Sequence, residues 1–514
     1  MFKLIATAFV FLLVSLLGSG SCAQTFSKVY DHFDRELLEE AYNIEETANG
    51  YIIFYAGGAA DGVSTRLGVR TIDWEGNSLF LHEYGDDSTR MFAGWANSGF
   101  EVSDDSYAIG NGFDTVGVSN SSNSKLMLFN SSGELQNSFT YIDSLANGGS
   151  GVINADNFYY IYGNSLDTPN ELLGGYLMKI SEDLELVWKK VYPNEGSENL
   201  SFNSCTEAHE GGFIIGGRVT DFDTFGVCED LAYDSDPIIM RVDSEGNEIW
   251  REQFGTCKTE CGAHVTRTSD GNYLFSSCLK TDEPVSGELF GFWPYIVKFD
   301  SDGEVIWEQT YGDANFESVL TKVQELSDGN IIAGGYRYAL SENTAHRWGL
   351  LIKLNQQGDS LWYRKYSFAD DTQCFFRDVI ETSDGGFAAC GRTWPSEENS
   401  SIDTWVVKTD EYGCIIPGCH IGVEEFTEKY GSFKVGPNPV SQSENLVVFL
   451  PDVKDLSGLS FQLRNLSGQV VKSFVPDEGG TSYLLRMDDV VKGMYVLSLL
   501  KDGTKVQSEK VVVR

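Results

Sequence analysis

The densest group of side chains able to hold a cation lies at residues 221–237, in DFDTFGVCEDLAYDSDP. Carboxylate oxygens are the donors a hard cation such as calcium prefers. Asp221, Asp223, Asp234 and Asp236 are the candidate ligands, with Glu229 and Asp230 between them. The segment lengthens a loop between two strands of a repeat, and loops grown from a rigid scaffold often carry binding. A solvated acidic loop explains the same residues and is the preferred reading; no cofactor is expected. DSDGE at 300–304 opens like a calcium loop but lacks the twelve-residue spacing and terminal glutamate, and it reads as a hairpin turn. CKTECGAH places Cys257, Cys261 and His264 close together. They would suit zinc; in an exported chain a disulfide beside a surface histidine is the simpler reading. The sequence contains no nucleophile elbow, no phosphate-cradling glycine loop and no defensible pair of catalytic carboxylates, so it leans away from an enzyme.

Composition narrows the partners. The 514 residues carry 37 Lys and Arg against 76 Asp and Glu, a formal charge of −39. Nucleic acid and anionic lipid surfaces are poor partners for such a chain. The first 23 residues read as a signal peptide: Lys3, an apolar run from Leu4 to Leu17, and SCA before the cut. The residues before Cys22 lack the leucine expected of a lipoprotein signal, so cleavage after Ala23 is read instead of acylation. No other stretch approaches the ~20 apolar residues that span a bilayer. Export favours disulfides, and Cys414–Cys419 in GCIIPGC is the expected local pair.

These residues sit on a repeat. A turn followed by an apolar strand recurs with leading residues Tyr51, Tyr107, Phe158, Phe213, Tyr273, Ile331 and Phe387, 51 to 60 residues apart. A second landmark is a hairpin such as KFDSDGEVIWEQTYG. Its turn glycines are Gly76, Gly133, Gly246, Gly303, Gly358 and Gly413, with Asp183 in the third copy. Tight hairpin turns favour glycine because they need positive φ. Trp250, Trp307 and Trp362 follow their glycines by four residues, and Trp188 follows Asp183 by five. Alternating residues before each turn mark strands. Four short antiparallel strands per unit, repeated seven times, predict a seven-bladed β-propeller over 24–419. In that fold the tryptophans become core between blades. The seventh unit lacks its fourth strand, and TFSKVYD at 25–31 matches it, so the N-terminal strand is expected to close blade seven.

The glycine pairs Gly57-Gly58, Gly216-Gly217 and Gly334-Gly335 resemble those of kelch repeats, without the downstream tyrosine and tryptophan spacing. DSEGNEIW and DSDGEVIW are similar to the tryptophan motifs of quinoprotein propellers. That family implies a quinone cofactor and, in many members, an adjacent cysteine pair. No two cysteines are adjacent here, and neither activity is carried over.

The repeat stops near Gly431. Residues 431–514 hold 10 Lys and Arg against 9 Asp and Glu, whereas 24–430 hold 26 against 67. Such a shift marks a domain boundary, with 420–430 as linker. The tail's short strands and glycine or proline turns predict a small C-terminal β-sandwich, so the whole chain reads as all-β. The tail also resembles the C-terminal sorting domain, type A, of the type IX secretion system. The matching residues are Pro437, Asn438 and Pro439 in GPNP, Gly468 in LRNLSGQVV, and Gly493 and Tyr495 in KGMYVLSL. Where the family usually has an aromatic before the first proline, this chain has Gly436. The resemblance implies a bacterium of the Bacteroidetes type, type IX machinery as partner, and a product released or fixed on the cell surface.

Three roles are then open. The first is a binding module for a glycan, a protein or a cation. The second is an exported polysaccharide hydrolase or lyase with an acidic funnel. The third is a structural surface protein. The first is preferred.

Overall fold

The computed structural model describes residues 25–30, 38–58, 64–93, 99–103, 105–116, 118, 122–143, 146–166, 172–193, 198–221, 234–255, 261–285, 289–312, 316–340, 345–369, 372–395, 401–416, 433–450, 458–465, 469–476, 482–501 and 504–514. The expected signal peptide, 1–23, and the expected linker, 420–430, lie outside them. The chain divides into two compact units between Gly413 and Cys414.

The first unit is a seven-bladed β-propeller. Each blade is a four-stranded antiparallel sheet, and in blades 1 to 6 its spatial order follows the chain. Blade 6 shows the plan: Glu317–Glu325 innermost, then Ile331–Leu340, Ala345–Leu354 and Ser360–Tyr366. The other innermost strands are Glu39–Thr47, Gly99–Ser103, Asn147–Ala155, Glu198–Glu207, His264–Arg267 and Thr372–Glu381. Each packs against the next, and the strand of blade 7 packs against that of blade 1, so the ring is closed. Phe26–Tyr30 is the outermost strand of blade 7, with Phe26 opposite Lys408 and Tyr30 opposite Thr404. A short strand, Thr89–Met91, links the sheets of blades 1 and 2.

A propeller buries both faces of each blade, which explains why the second strands are apolar at consecutive positions. In blade 1, Ile52 and Phe54 enter a core with Met127 and Phe129 of blade 2. Tyr51, Ile53 and Tyr55, pointing the other way, enter a core with Ala388 and Val406 of blade 7. Each such side chain contributes about 1.5–3 kcal/mol relative to exposure.

The recurring hairpin phrase is the clasp between blades. The glycine of each turn has φ between 73° and 87°, a region in which a side chain is strained. It also has no room. A Cβ on Gly246 would lie 2.8 Å from Trp188 Cη2, and one on Gly358 would lie 3.0 Å from Trp307 Cζ3. The tryptophan of one blade thus lies on the turn glycine of the next. Four residues after Trp188, Trp307 and Trp362 comes a tyrosine whose hydroxyl donates to the same glycine's carbonyl, whereas Phe254 follows Trp250. Tyr192–Gly246, Tyr311–Gly358 and Tyr366–Gly413 are each 2.7 Å. The closing strand obeys the same rule: Tyr30 donates to Gly76 O at 2.7 Å, and Phe26 lies against Gly76. The third copy departs from the sequence reading. Its positive-φ residue is Leu184 (φ 61°), not Asp183. Leu184 N donates to Ser181 O as Gly246 N does to Asp243 O, so Trp188 keeps the four-residue spacing after all.

The second unit is a β-sandwich. One sheet is built from Lys434–Gly436, Asn445–Phe449 and Ser482–Arg486. The other is built from Leu459–Asn465, Val470–Phe474, Gly493–Lys501 and Thr504–Val513. Phe433, Leu446, Val448, Phe461, Leu463, Leu497 and Val511 are buried in its own core.

Candidate functional site

The ladder between first and second strands is interrupted in the same way in five blades. Register shifts fall between Ala41 and Asn43, Gly149 and Gly151, Phe202 and Ser204, Leu320 and Lys322, and Phe376 and Asp378. Each leaves one extra residue: Tyr42, Ser150, Asn203, Thr321 and Arg377. A β-bulge bends its strand and re-aims a side chain, and bulges are frequent beside functional sites. Tyr42, Ser150 and Arg377 line a cavity of about 320 Å³ with Phe92, Phe113, Asp114, Gly148, Gly149 and Asn164. This cavity lies toward the face where the innermost strands begin, here called the upper face.

Arg377 is held from below and behind. Its Nε donates to Glu40 Oε1 at 2.5 Å. Glu40, 2% exposed, also accepts from Arg392 Nη1 at 3.0 Å and from the Tyr42 hydroxyl at 3.0 Å. Burial opposes the Arg377 charge, but Glu40 more than offsets it and raises the pKa above the ordinary arginine value. Burial and then Glu40 likewise raise the Tyr42 phenol, so Tyr42 stays protonated and neutral. The cavity therefore offers one fixed cation, neutral hydroxyls and amides, an aspartate and aromatic surface.

In four of the five blades the residue after the bulge (Asn43, Ser204, Lys322 or Asp378) reaches a neighbouring blade and builds a polar belt. Lys322 Nζ of blade 6 lies 2.5 Å from Asp378 Oδ1 of blade 7. Asp378 Oδ2 accepts from Asn43 Nδ2 at 2.9 Å and Ile44 N at 3.0 Å, both of blade 1. Ser204 Oγ of blade 4 donates to Ala263 O at 3.0 Å and accepts Val265 N at 2.9 Å, both beside the first strand of blade 5. His264 of blade 5 accepts Val323 N of blade 6 on Nδ1 at 3.4 Å.

Beyond the belt is a second cavity, of about 460 Å³, lined by Glu45, Glu46, His264, Arg267, Glu325 and Glu381 among others. Its carboxylates are engaged in fastening blades. Glu46 accepts Ser383 N at 2.8 Å, Glu325 accepts Ser269 N at 2.6 Å, and Glu381 accepts Ser327 N at 2.7 Å. The upper cavity is therefore the candidate site.

His264 corrects the expectation of a surface histidine: it is 6% exposed. Burial, with a smaller contribution from Lys322, pushes its pKa down to about 3. In the unfolded chain the imidazole titrates near about 6.5. Between these values the unfolded state binds a proton that the folded state does not, so stability is full above the unfolded pKa and falls as pH drops toward the folded one. The His264→Gln variant is expected to lose less stability than the parent between about pH 7 and about pH 5, the parent's excess loss approaching ~1.4 kcal/mol per pH unit. Urea midpoints of both proteins across that range check this; parallel curves would reject it.

None of the other described residues singled out in the sequence lines the upper cavity. Asp221 and Asp234 form the last pair of the ladder between the second and third strands of blade 4, and Asp236 lies opposite Val219. These three are strand residues, not loop residues as the sequence suggested. Asp236 Oδ2 accepts from Gln253 Nε2 at 2.6 Å. Asp223, Glu229 and Asp230 lie outside the described residues. Among the described residues no three His, Cys, Asp or Glu side chains converge on a metal position. Asp300 Oδ1 accepts the Asp302 and Glu304 amides at 3.0 Å, the geometry of a hairpin turn. Cys261 is bonded to Cys278, across from the sequence neighbours considered for it; Cys257 lies outside the described residues. Cys205, Cys374 and Cys390 are free and buried. Cys414 is buried and disulfide-bonded; Cys419 lies outside the described residues.

In the sandwich, Asn438 fastens the terminal strand. Its Nδ2 donates to Lys510 O at 2.5 Å and its Oδ1 accepts Val512 N at 2.9 Å. Pro437 and Pro439 flank it, both after cis peptide bonds. Tyr495 is buried and donates to Val491 O at 2.6 Å. Gly493 begins the same strand, and Gly468 lies outside the described residues. A Cβ on Gly436 would meet nothing within 4 Å, so the family's larger residue has room there.

Residues 434–514 match the family described as the secretion system C-terminal sorting domain. No curated protein matches the chain. Among solved structures, the plexin A4 extracellular region is 9% identical with a TM-score of 0.42, covering 96% of this chain and 52% of that one. The S. cerevisiae core factor is 12% identical with a TM-score of 0.39, covering 79% and 63%. The β-propeller domain of the Trilobed protease from Pyrococcus furiosus is 9% identical with a TM-score of 0.37, covering 76% and 99%. The chain thus spans only half to two-thirds of the first two. Superpositions this loose carry nothing about what this chain does. Its tail is a type IX secretion sorting domain, which marks the chain for export to the cell surface or the medium. Among the described residues no helix is long and apolar enough to cross a membrane.

Proposed function

We propose that this chain is a secreted or surface-displayed, non-catalytic binding protein whose propeller takes a glycan at the upper mouth of its channel. The observation that carries this reading is the set of bulges. Three of the five turn Tyr42, Ser150 and Arg377 into one cavity. A bulge interrupts ladder hydrogen bonds, so five at equivalent positions fit selection for what the re-aimed side chains do. A cavity with aromatic walls and a few fixed polar groups is what a small-molecule site needs. Phe92, Phe113 and Tyr42 offer apolar surface to the C–H faces of a sugar ring. Asp114, Asn164 and Ser150 offer donors and acceptors to its hydroxyls. The sorting tail supports a role outside the cell, where glycans are the abundant ligands.

The test uses Gly148, which lines the cavity and whose added Cβ would meet nothing within 4 Å. A leucine there should fill the site without disturbing the blade. The mature protein is expected to show a rise in melting temperature with at least one member of an oligosaccharide panel, because a ligand of the folded state stabilises it. Gly148→Leu should keep the unliganded melting temperature and lose that rise. A rise that survives in Gly148→Leu would place binding elsewhere and reject the site.

A further inference from the structure

We infer that the glycan is an acidic one, bearing carboxylate or sulfate groups, and that it runs from the upper cavity onto an arginine–aromatic tract on blades 7 and 6; this rests on the glycan reading above. The tract begins where the cavity ends. Glu40 ties Arg377, in the cavity, to Arg392 beside it. Arg392 Cζ lies 4.8 Å from the Phe375 ring centre and 5.1 Å from that of Trp394. Those two rings stack at 5.4 Å and 14°. From blade 6, Arg347 Cζ approaches the same pair at 5.1 and 5.7 Å and lies 4.7 Å from Tyr338. A second stack lies at the same end of blade 6, with the buried Arg337 3.7 Å from Phe316 and the ammonium of Lys365 4.8 Å from Trp348.

Stacking against rings fixes a guanidinium in one plane, and Arg347 is a partly exposed one. The edge of a guanidinium matches a carboxylate or sulfate through two parallel hydrogen bonds. Glu40 lies between Arg377 and Arg392, and Glu317 faces Arg347; in a chain of charge −39 this is a stretch where cations outnumber the carboxylates they face. At physiological ionic strength charges beyond about 8 Å are largely screened, so the tract and not the net charge decides what approaches. Arg347, Tyr338 and Trp394 are partly exposed. A single small anion would engage one guanidinium. Guanidinium groups leading out of a cavity suit a polymer with a charge on successive units.

The test is affinity electrophoresis of the mature full-length protein through gels containing polygalacturonate, its methyl ester, dextran sulfate, neutral dextran or polyglutamate. Retardation by polygalacturonate or dextran sulfate is expected, stronger at low salt and weak at high salt. The two gels separate carboxylate from sulfate recognition. Arg347→Gln should weaken the interaction about tenfold, the loss of one charge-assisted contact. The salt dependence of the parent protein is an independent readout should that variant fail to fold. Equal retardation by methyl ester or neutral dextran would overturn the acidic class while leaving glycan binding standing. Equal retardation by polyglutamate would show that charge alone is read and overturn it too. Binding to none of the polysaccharides would overturn both readings.

Discussion

A chain truncated after residue 430 is expected to be made, folded and trapped in the periplasm, with none in the medium or on the cell surface. The tail matches the sorting family over 434–514, and it is a separate unit with a core of its own. Among the described residues the propeller cores are built between consecutive blades, from residues before 407. Truncation therefore separates sorting from folding. Periplasmic extracts should contain soluble, protease-resistant propeller, detected by immunoblot, while the parent protein is found outside. Asn438→Ala tests the same idea more finely. It removes the two hydrogen bonds that its side chain makes to the terminal strand, a loss of about 1–3 kcal/mol from a small domain, and should lower export without abolishing it. Truncated protein in the medium at parental levels would refute the sorting role of the tail.

The propeller was legible because its defining contacts are local in the repeat. A turn glycine, a tryptophan four residues on and a tyrosine four further are all within one phrase. Their partners lie in the neighbouring copy of that phrase, as with Tyr311 and Gly358. The exception at Leu184 was misread because an aspartate beside it looked like the better turn residue; the backbone placed positive φ one position later. The candidate site was not legible. A bulge adds one residue and breaks the two-residue alternation from which strands are read, so Tyr42 and Arg377 look like register noise. The belt is hidden for another reason. Asp378 and Asn43 are 335 residues apart in sequence, and only ring closure makes them neighbours. His264 reads as a surface histidine beside a disulfide because Cys257 and Cys261 precede it; the fold instead pairs Cys261 with Cys278 and turns the imidazole inward. The one visible trace of the site is polar residues in otherwise apolar innermost strands, such as the lysine of SVLTKVQEL and the aspartate of CFFRDVI.

That aspartate is expected to matter more to the propeller's stability than any single apolar residue beside it. Asp378 is fully buried and makes four contacts: Lys322 Nζ, Asn43 Nδ2, Ile44 N and its neighbour Val379 N at 2.8 Å. They join blades 6, 7 and 1, the junction at which the ring closes. Lys322 is buried too, and burial alone would discharge it, but Asp378 more than offsets this and holds its pKa above the ordinary lysine value. Asp378→Ala leaves that ammonium without its carboxylate partner and strands the Ile44 amide and the Asn43 side chain. Breaking a buried pair from one side costs about 3–5 kcal/mol, a large part of a typical stability of about 5–15 kcal/mol. Removing both charges is a different matter, since apolar residues of similar size replace a buried pair at little cost. Lys322→Met with Asp378→Leu should therefore recover most of the loss, less what the orphaned Asn43 and Ile44 groups retain. All ten tryptophans precede residue 406, so tryptophan fluorescence during urea unfolding follows the propeller alone, whatever the tail does. A midpoint for Asp378→Ala close to that of the parent would mean that the belt is decoration on a ring already closed by its apolar cores and its Phe26–Tyr30 strand. A low midpoint restored in the double variant would show that uncompensated charge, and not lost packing, is what opens the junction.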